Sequence, residues 1–536
     1  MRLKYELPGR MIITSPSKSM EFNFKLSGNY YISIILKGNV VELCFPLCSQ
    51  SRLVCFRIRN FIGEPDFSDD GFIKNYYNDG KTEFIIPPER SGFYISRKVP
   101  DRMKVEAYSK LFWEIEEDVR TMMNGWSGKS SYYCRIGNTM PSIGFHEGEN
   151  GTFVAIGDTP DRAILNAIHL ARTGKDLLRK EAVDFLSRFS SLDTKLMIDN
   201  SLLAIFFSNS ACIDEERNCI LASKSPKYYV SGGFWARDFI FWTLPLIERF
   251  DTSRAKKLIG ELLESYWKNK GIHALYIDGR ILYEGFELDQ LAYYFIALEK
   301  GITYGLITPL EARSMGKEIL DILEGYRSDR YHLYRTELDS SDDPVEYPYV
   351  TFDNVVLWYG IKTLGIKISE FSDDEFLKTA TAIKRDIMHN MVKDGEFCYS
   401  TDLDGNYEFY DNPTGSLVLL PYLKFVEKRD DAFIKTLRRI RSKENRYWID
   451  GEYPGAGNRH VNHPWIHYYA SEIIAGFRDP SFVSHIEMDS GLACETIDEK
   501  TGLCLTGIHF PGASAFMVSS ILNSKSQKHG VRKGQR

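Results

Sequence analysis

The spacing of apolar residues along the chain changes once. Through about residue 155, apolar and polar positions alternate with a period of two, which predicts strands with one buried face. Phe22, Phe24 and Leu26 alternate with Glu21, Asn23 and Lys25, and Ser27-Gly28-Asn29 then supplies a turn. Ile32, Ile34 and Leu36 repeat the pattern, Gly38-Asn39 turns the chain into Val40–Phe45, and Val54, Phe56 and Ile58 alternate with Cys55, Arg57 and Arg59. Short strands divided by turn residues at this density predict an antiparallel β-sandwich.

At Thr159-Pro160-Asp161, a cap followed by proline at the first helical position, the period becomes helical. Ala163, Ile164, Ala167, Ile168 and Ala171 fall on one face. Helix starts are predicted near residues 159, 176, 194, 236, 253, 286, 309, 350, 373, 413, 464 and 511, without the self-similarity of a solenoid. The expected organisation is a β-sandwich domain over 1–157, a helical linker over 158–190, a helical domain over 191–524 and a basic flexible tail over 525–536. A β-sandwich followed by a dozen helices is the layout of a mainly α fold, the (α/α)6 toroid, whose inner helices feed loops into one central pocket.

Composition narrows the function. The 536 residues carry 67 basic and 73 acidic side chains, a net charge of −6, which speaks against nucleic acid as a partner. Five of the positive charges, Lys525, Lys528, Arg532, Lys533 and Arg536, lie in the C-terminal tail. The start has no apolar stretch of signal-peptide length, and no run reaches the roughly 18 residues that cross a membrane, so a cytoplasmic protein without membrane contact is expected. Nine cysteines in irregular spacing, with no CxxC pair, read as reduced thiols and not as a disulfide framework or zinc site. Aromatics are abundant, with 33 Phe, 31 Tyr and 8 Trp, and sugar-binding clefts use such rings as stacking platforms as well as cores do.

The segments that can carry chemistry lie in loops or at helix starts. In Gly232-Gly-Phe-Trp-Ala-Arg-Asp238, Arg237 and Asp238 can bond adjacent sugar hydroxyls while Trp235 stacks on the ring; alternatively Asp238 only charges a helix start. Phe286-Glu-Leu-Asp-Gln290 places Glu287 and Asp289 two residues apart, off a common helical face, so they are expected to have different partners. Asp289 is either a helix cap or a ligand-binding group. Asp339-Ser-Ser-Asp-Asp-Pro344 and Glu346 put four carboxylates in one short stretch; crowding of this kind keeps one protonated, as a general acid requires. A solvated acidic turn is the plain alternative. Tyr410-Asp-Asn-Pro-Thr-Gly-Ser416 and Gly451–His467 are polar loops, and His460, His463 and His467 invite a metal reading that no zinc motif supports. No metal or other cofactor is expected. Glu495 is a lone acid in a late loop.

Taken in order, these segments resemble the metal-independent exo-α-1,6-mannosidases of glycoside hydrolase family 125. The resemblance runs over residues 195–524 and rests on Trp235-Ala-Arg-Asp238, Phe286-Glu-Leu-Asp-Gln290, and Ser341-Asp-Asp343 with Tyr347, Tyr349 and Asn354. Ser416–Leu423, Gly455–His460 and Cys494-Glu495 continue it. It implies an inverting exo-glycosidase in which Asp342 or Asp343 protonates the leaving oxygen and Glu495 activates water. Trp235, Arg237, Asp238, Glu287, Asp289, Tyr347, Asn412, His460 and Trp465 would then line the sugar subsite, with a carbohydrate as partner. Asn218–Ser223, the sandwich in front and Glu495–Gly502 also resemble prokaryotic glucoamylases and trehalases, a reading that moves the acid to Glu337 or Glu346 and the substrate to α-glucosides, cleaved by water or phosphate. A third reading, from another class, is a carbohydrate-binding protein without turnover.

Overall fold

The computed structural model describes side chains over residues 29–34, 41–57, 84–96, 141–369 and 375–525, and the backbone of further strands and of the last helix. The chain forms two compact units. The first comprises Met1–Gly233 with Asp489–Leu492 and His509–Ser514, and the second holds Phe234–Met488, Ala493–Ile508 and Ala515–Arg536.

Two antiparallel sheets build the first unit. One has eight strands in the order Arg2–Glu6, Arg10–Thr14, Ser19–Gly28, Ser33–Lys37, Val40–Leu47, Arg52–Arg59, Lys104–Leu111 and Glu114–Thr121. The other has seven, ordered Met123–Trp126, Ser131–Arg135, Ser142–Glu147, Thr152–Gly157, Gly92–Ile95, Thr82–Ile85 and Ile73–Tyr76. The alternation at Phe22, Phe24 and Leu26 therefore falls on a strand, although those side chains lie outside the described residues. The predicted linker contains helices α1 (Pro160–Thr173) and α2 (Lys175–Ser187), capped as expected by Thr159. Helix α1 lies flush on the seven-stranded sheet because Gly144 and Gly157 face it. A Cβ at either would stand 2.4 Å from the backbone of Ala163. Ile85, Tyr94, Phe153, Ala167, Leu170 and Leu178 fill the layer between. Helix α3 (Lys195–Phe207) completes the unit.

Among the described residues nine helices follow: α4 (Leu244–Phe250), α5 (Thr252–Ser265), α6 (Leu288–Thr303), α7 (Pro309–Glu324), α8 (Thr351–Ile368), α9 (Glu375–Asn390), α10 (Asp431–Ile440), α11 (Ile466–Ala475) and α12 (Pro511–Lys533). They alternate in character. Helices α6, α8 and α11 are apolar nearly all round and buried, whereas α5, α7, α9 and α10 bury one stripe. Helices α6 and α8 approach closely at Gly360, where a Cβ would stand 2.8 Å from the Ala292 carbonyl oxygen. Two predictions need correction. The start near 413 yields only two 3-10 turns, Pro413–Gly415 and Leu417–Leu419, since Pro413 and Pro421 interrupt the ladder, and α10 was absent from the predicted set. The segment from 525, expected as a flexible tail, is helical as far as Lys533, and residues 534–536 lie outside those described.

The expectation of nine reduced thiols also fails, because Cys48 and Cys212 form a disulfide. They are 164 residues apart in sequence, and spacing carries no information on a pairing made by tertiary structure. Asp214 fixes the turn at Cys48 by accepting the N–H groups of Cys48 (3.1 Å) and Ser49 (2.9 Å). A loop of this length makes the cross-link worth about 2–5 kcal/mol. Chemical denaturation of Cys212→Ser is expected to show that loss. Reductant with chelator should reproduce it in the wild type and leave the variant unchanged.

Candidate active site

The candidate side chains of the second unit sit where the chain enters its helices. Trp235-Ala-Arg-Asp238 leads into α4 through a π-helical stretch, Arg237–Thr243, in which the Leu244 N–H reaches back to the Phe239 carbonyl. This widened turn inserts one more residue per turn than an α-helix just where Arg237 and Asp238 leave the backbone. Arg237 is buried at 2% exposure. Its Nη1 donates to Glu287 Oε2 (3.0 Å) and Asp289 Oδ2 (2.8 Å), and its Nη2 donates to Asp342 Oδ1 (2.6 Å). Glu287 and Asp289 thus share a partner, contrary to expectation. Glu287 is the extended residue before α6 (φ −118°, ψ 122°), so helical spacing does not separate the two. Asp289 is no cap either; it spends its charge on Arg237. Glu287 also binds His273 Nδ1, and His273 lies 3.8 Å from Asp342 Oδ1. Burial alone would pull the His273 pKa down, but Glu287 and Asp342 carry it up.

The acidic loop splits its charges. Asp339 is buried, accepts the Ser341 N–H (2.9 Å) and the Tyr399 hydroxyl (3.3 Å), and is pushed up to about 7, mainly by burial. Burial contributes more to this rise than the crowding of charges does. Asp342 has a left-handed backbone (φ 67°), tolerable for aspartate, and turns its carboxylate to Arg237. Asp343 meets His460 Nδ1 at 2.9 Å instead. Burial would lower the His460 pKa; the Asp343 bond and the charges of Glu495 and Asp342 raise it.

Glu495 is held by Thr506, whose carbonyl accepts its N–H (3.1 Å) and whose hydroxyl donates to its Oε2 (2.8 Å). Gly507, at φ 63°, is required there, since a Cβ would stand 2.3 Å from the Glu495 Cβ. The Ile466 N–H donates to the Glu495 carbonyl (3.0 Å) and ties this loop to the start of α11. His460 and Asp238 both feel the charges of Asp342 and Glu495, and burial, reinforced by those carboxylates against Arg237, pushes Asp238 well up. Asp342, Asp343, Glu495, Arg237, Asp238 and His460 are one electrostatic neighbourhood.

Other expected residues take different roles. Trp235 and Trp465 are buried at 6% and 3%, too enclosed to be open platforms. Trp235 stands edge-on to His273 (6.0 Å) and Trp465 edge-on to His460 (5.9 Å), so each braces a histidine. A polar cavity of about 290 Å³ opens beside Asp343, lined among others by Asn412, Tyr410, Tyr447, Arg446 and Arg459. Asn412, although 2% exposed, lines it and binds Ser341. Tyr347 is half-buried near Glu346 and Glu408. Glu337, an alternative acid, accepts the Phe286 N–H (2.9 Å), while Glu346 lines the cavity. The three histidines diverge: His463 pairs with Glu499, and His467 packs on Trp242. His273, Glu287 and Asp342 offer donor atoms within 4.8 Å, as a metal site would, but Arg237 is already bonded to both carboxylates and supplies the positive charge there. Sequence reasoning missed His273 and did not single out Asp339 among the four carboxylates of its stretch. His273 lies in no motif, and the burial of Asp339 depends on the fold.

Removing Arg237 strands Glu287 and Asp289 as buried carboxylates. Arg237→Met is expected to cost about 3–5 kcal/mol. The deficit should shrink as pH falls and those carboxyls take up protons, which denaturation measured across pH reads directly.

Comparison with known proteins bears on the same loops. A Streptococcus pneumoniae metal-independent alpha mannosidase, solved in a non-productive complex with alpha-1,6-mannobiose, superposes with a TM-score of 0.53 at 17% identity, covering 66% of this chain and 99% of that one. A bacterial glucoamylase complexed with acarbose gives 0.62 at 11% identity over 98% of both chains. These likenesses show a mainly helical fold of the kind both enzymes have. Trehalase 1 of Sulfolobus acidocaldarius is 33% identical over 113 residues, 20% of this chain, and the chain spans only 16% of that relative's length. Residues 320–479, which hold Asp342, Asp343, Asn412 and His460, match the metal-independent alpha-mannosidase family, GH125, and in this part of the chain the family resemblance read from the motifs stands.

Proposed function

We propose that the chain is an inverting exo-glycosidase that removes terminal α-mannosyl residues, built on an (α/α)6 toroid whose helix entries surround the site. The observation that carries this reading is the contact of Asp343 with His460 at 2.9 Å, on an imidazole that also feels the charges of Glu495 and Asp342. The family match over 320–479 supports the sugar. Alternation of fully buried and one-sided helices supports the toroid, as does the likeness to a glucoamylase along the whole chain.

Asp343 is the better acid of the pair. It lines the cavity and bonds His460, whereas the Asp342 carboxyl group is bonded to Arg237. Asp343 gives its proton to the leaving oxygen, and Glu495 takes one from a water that attacks the anomeric carbon from the other side. Asp342 and Arg237 remain as an ion pair against which the sugar hydroxyls and the developing positive charge are set.

A second reading, an enzyme of α-glucosides, is favoured by one observation: the glucoamylase likeness includes the first unit, while the mannosidase likeness covers 66% of the chain. A panel of α-mannosides, maltose, isomaltose and trehalose, with and without phosphate, separates the two. Turnover confined to α-mannosides and independent of phosphate is expected; turnover of the glucosides alone would overturn the mannosidase reading.

Glu495→Gln should lose about 10²–10⁴ in kcat on every substrate. Asp343→Asn should lose as much on natural glycosides yet recover on a dinitrophenyl glycoside, whose leaving group needs no proton. Recovery by Asp342→Asn instead would move the acid to Asp342. Because the Asp343 bond raises the His460 pKa above the ordinary imidazole range, His460→Gln should move the alkaline limb of kcat to lower pH, and an unmoved limb would contradict a part for His460 in proton delivery.

A further inference from the structure

The Cys48–Cys212 disulfide has a third sulfur beside it. The Sγ atoms of Cys48, Cys212 and Cys219 all lie within 4.8 Å of one another and are buried. They come from two separate places in the first unit, the turn after Val40–Leu47 and the hairpin Asn209–Ala211 with Asn218–Ile220. We propose that in the reduced protein Cys48, Cys212 and Cys219 bind one zinc ion as thiolates, and that the disulfide is the oxidised, metal-free form of the same site.

Geometry, charge and chemistry each support this. Zinc–sulfur bonds of about 2.3 Å in a tetrahedron put sulfurs about 3.8 Å apart, a small adjustment of the present cluster once the S–S bond is broken. The ligand carriers are already fixed: Asp214 clamps the backbone at Cys48 and Ser49, and the Cys212 N–H donates to the Arg217 carbonyl (2.9 Å) across the hairpin. Three thiolates on a divalent ion leave one negative charge in a buried place. Lys224 supplies the counter-charge. Its ammonium is fully buried, donates to the Asn29 carbonyl (2.7 Å), and has Cys219 and Cys44 as the groups whose negative charge favours its protonated form. Soft thiolates select zinc over magnesium or calcium, and a water completes the fourth position. Cys44 and Cys55 stand apart as a cross-strand pair whose first member burial keeps as a thiol.

The step balances simply. A phosphine reduces the disulfide with water, which supplies two protons and leaves the phosphine oxide, or a dithiol supplies two electrons and two protons and becomes a disulfide; zinc then displaces three thiol protons.

The test uses the full chain, reduced with a phosphine, desalted and titrated with Co²⁺ as reporter and then with Zn²⁺. One equivalent of cobalt should give thiolate-to-metal charge transfer and tetrahedral visible bands, displaced by one equivalent of zinc. The bands should vanish in Cys219→Ser and in unreduced protein, and persist in Cys504→Ser. Lys224→Met should weaken zinc binding by roughly 10–100-fold. Alkylation mapping on the wild type reads the site without any variant: zinc should protect Cys48, Cys212 and Cys219 together. Absent bands, bands that survive Cys219→Ser, unprotected cysteines, or a Cys212–Cys219 disulfide forming in place of metal binding would each overturn the site.

Discussion

The candidate site depends on one buried cation. Arg237 draws the buried Glu287 and Asp289 from one segment and the more exposed Asp342 from another onto a single guanidinium, which offsets the repulsion among the three carboxylates. Desolvating such charges is costly, and the fork of donors on arginine is what repays it. Through Glu287 the same cation holds His273, and through Asp342 it sets the turn from which Asp343 reaches His460. The ion cluster is therefore the reference frame for the proposed acid.

The frame is assembled by helix entries. The extended residue before α6, the acidic loop before α8 and the His460 loop before α11 each deliver polar side chains ahead of a buried apolar helix, and the π-helical stretch before α4 and the Glu495 loop add theirs. Buried helices make such entries precise, since their packing fixes where the first turn begins. Gly507 shows the tolerance involved: the chain gives up a side chain there so that Glu495 can occupy its place.

Much of this was legible in the sequence. Alternation at Val54 and Phe56 marked strands, and the cap at Thr159 marked the first helix, because local periodicity is a local property. The motifs located Asp342, Asp343 and Glu495, and the fold brings their charges together. What failed was long-range. Glu287 and Asp289 were separated by a helical rule that stops applying one residue before a helix begins. Cys48 and Cys212, like His273 and Asp342, meet only after folding, so no spacing could announce them.

The central claim is a single displacement with Asp343 as acid and Glu495 as base on opposite faces of one sugar. Proton NMR of the first-formed product from an α-mannoside, recorded before mutarotation, tests it most directly. The account predicts that the β-anomer of mannose appears first. First appearance of the α-anomer would contradict it and point to a double displacement through a covalent intermediate.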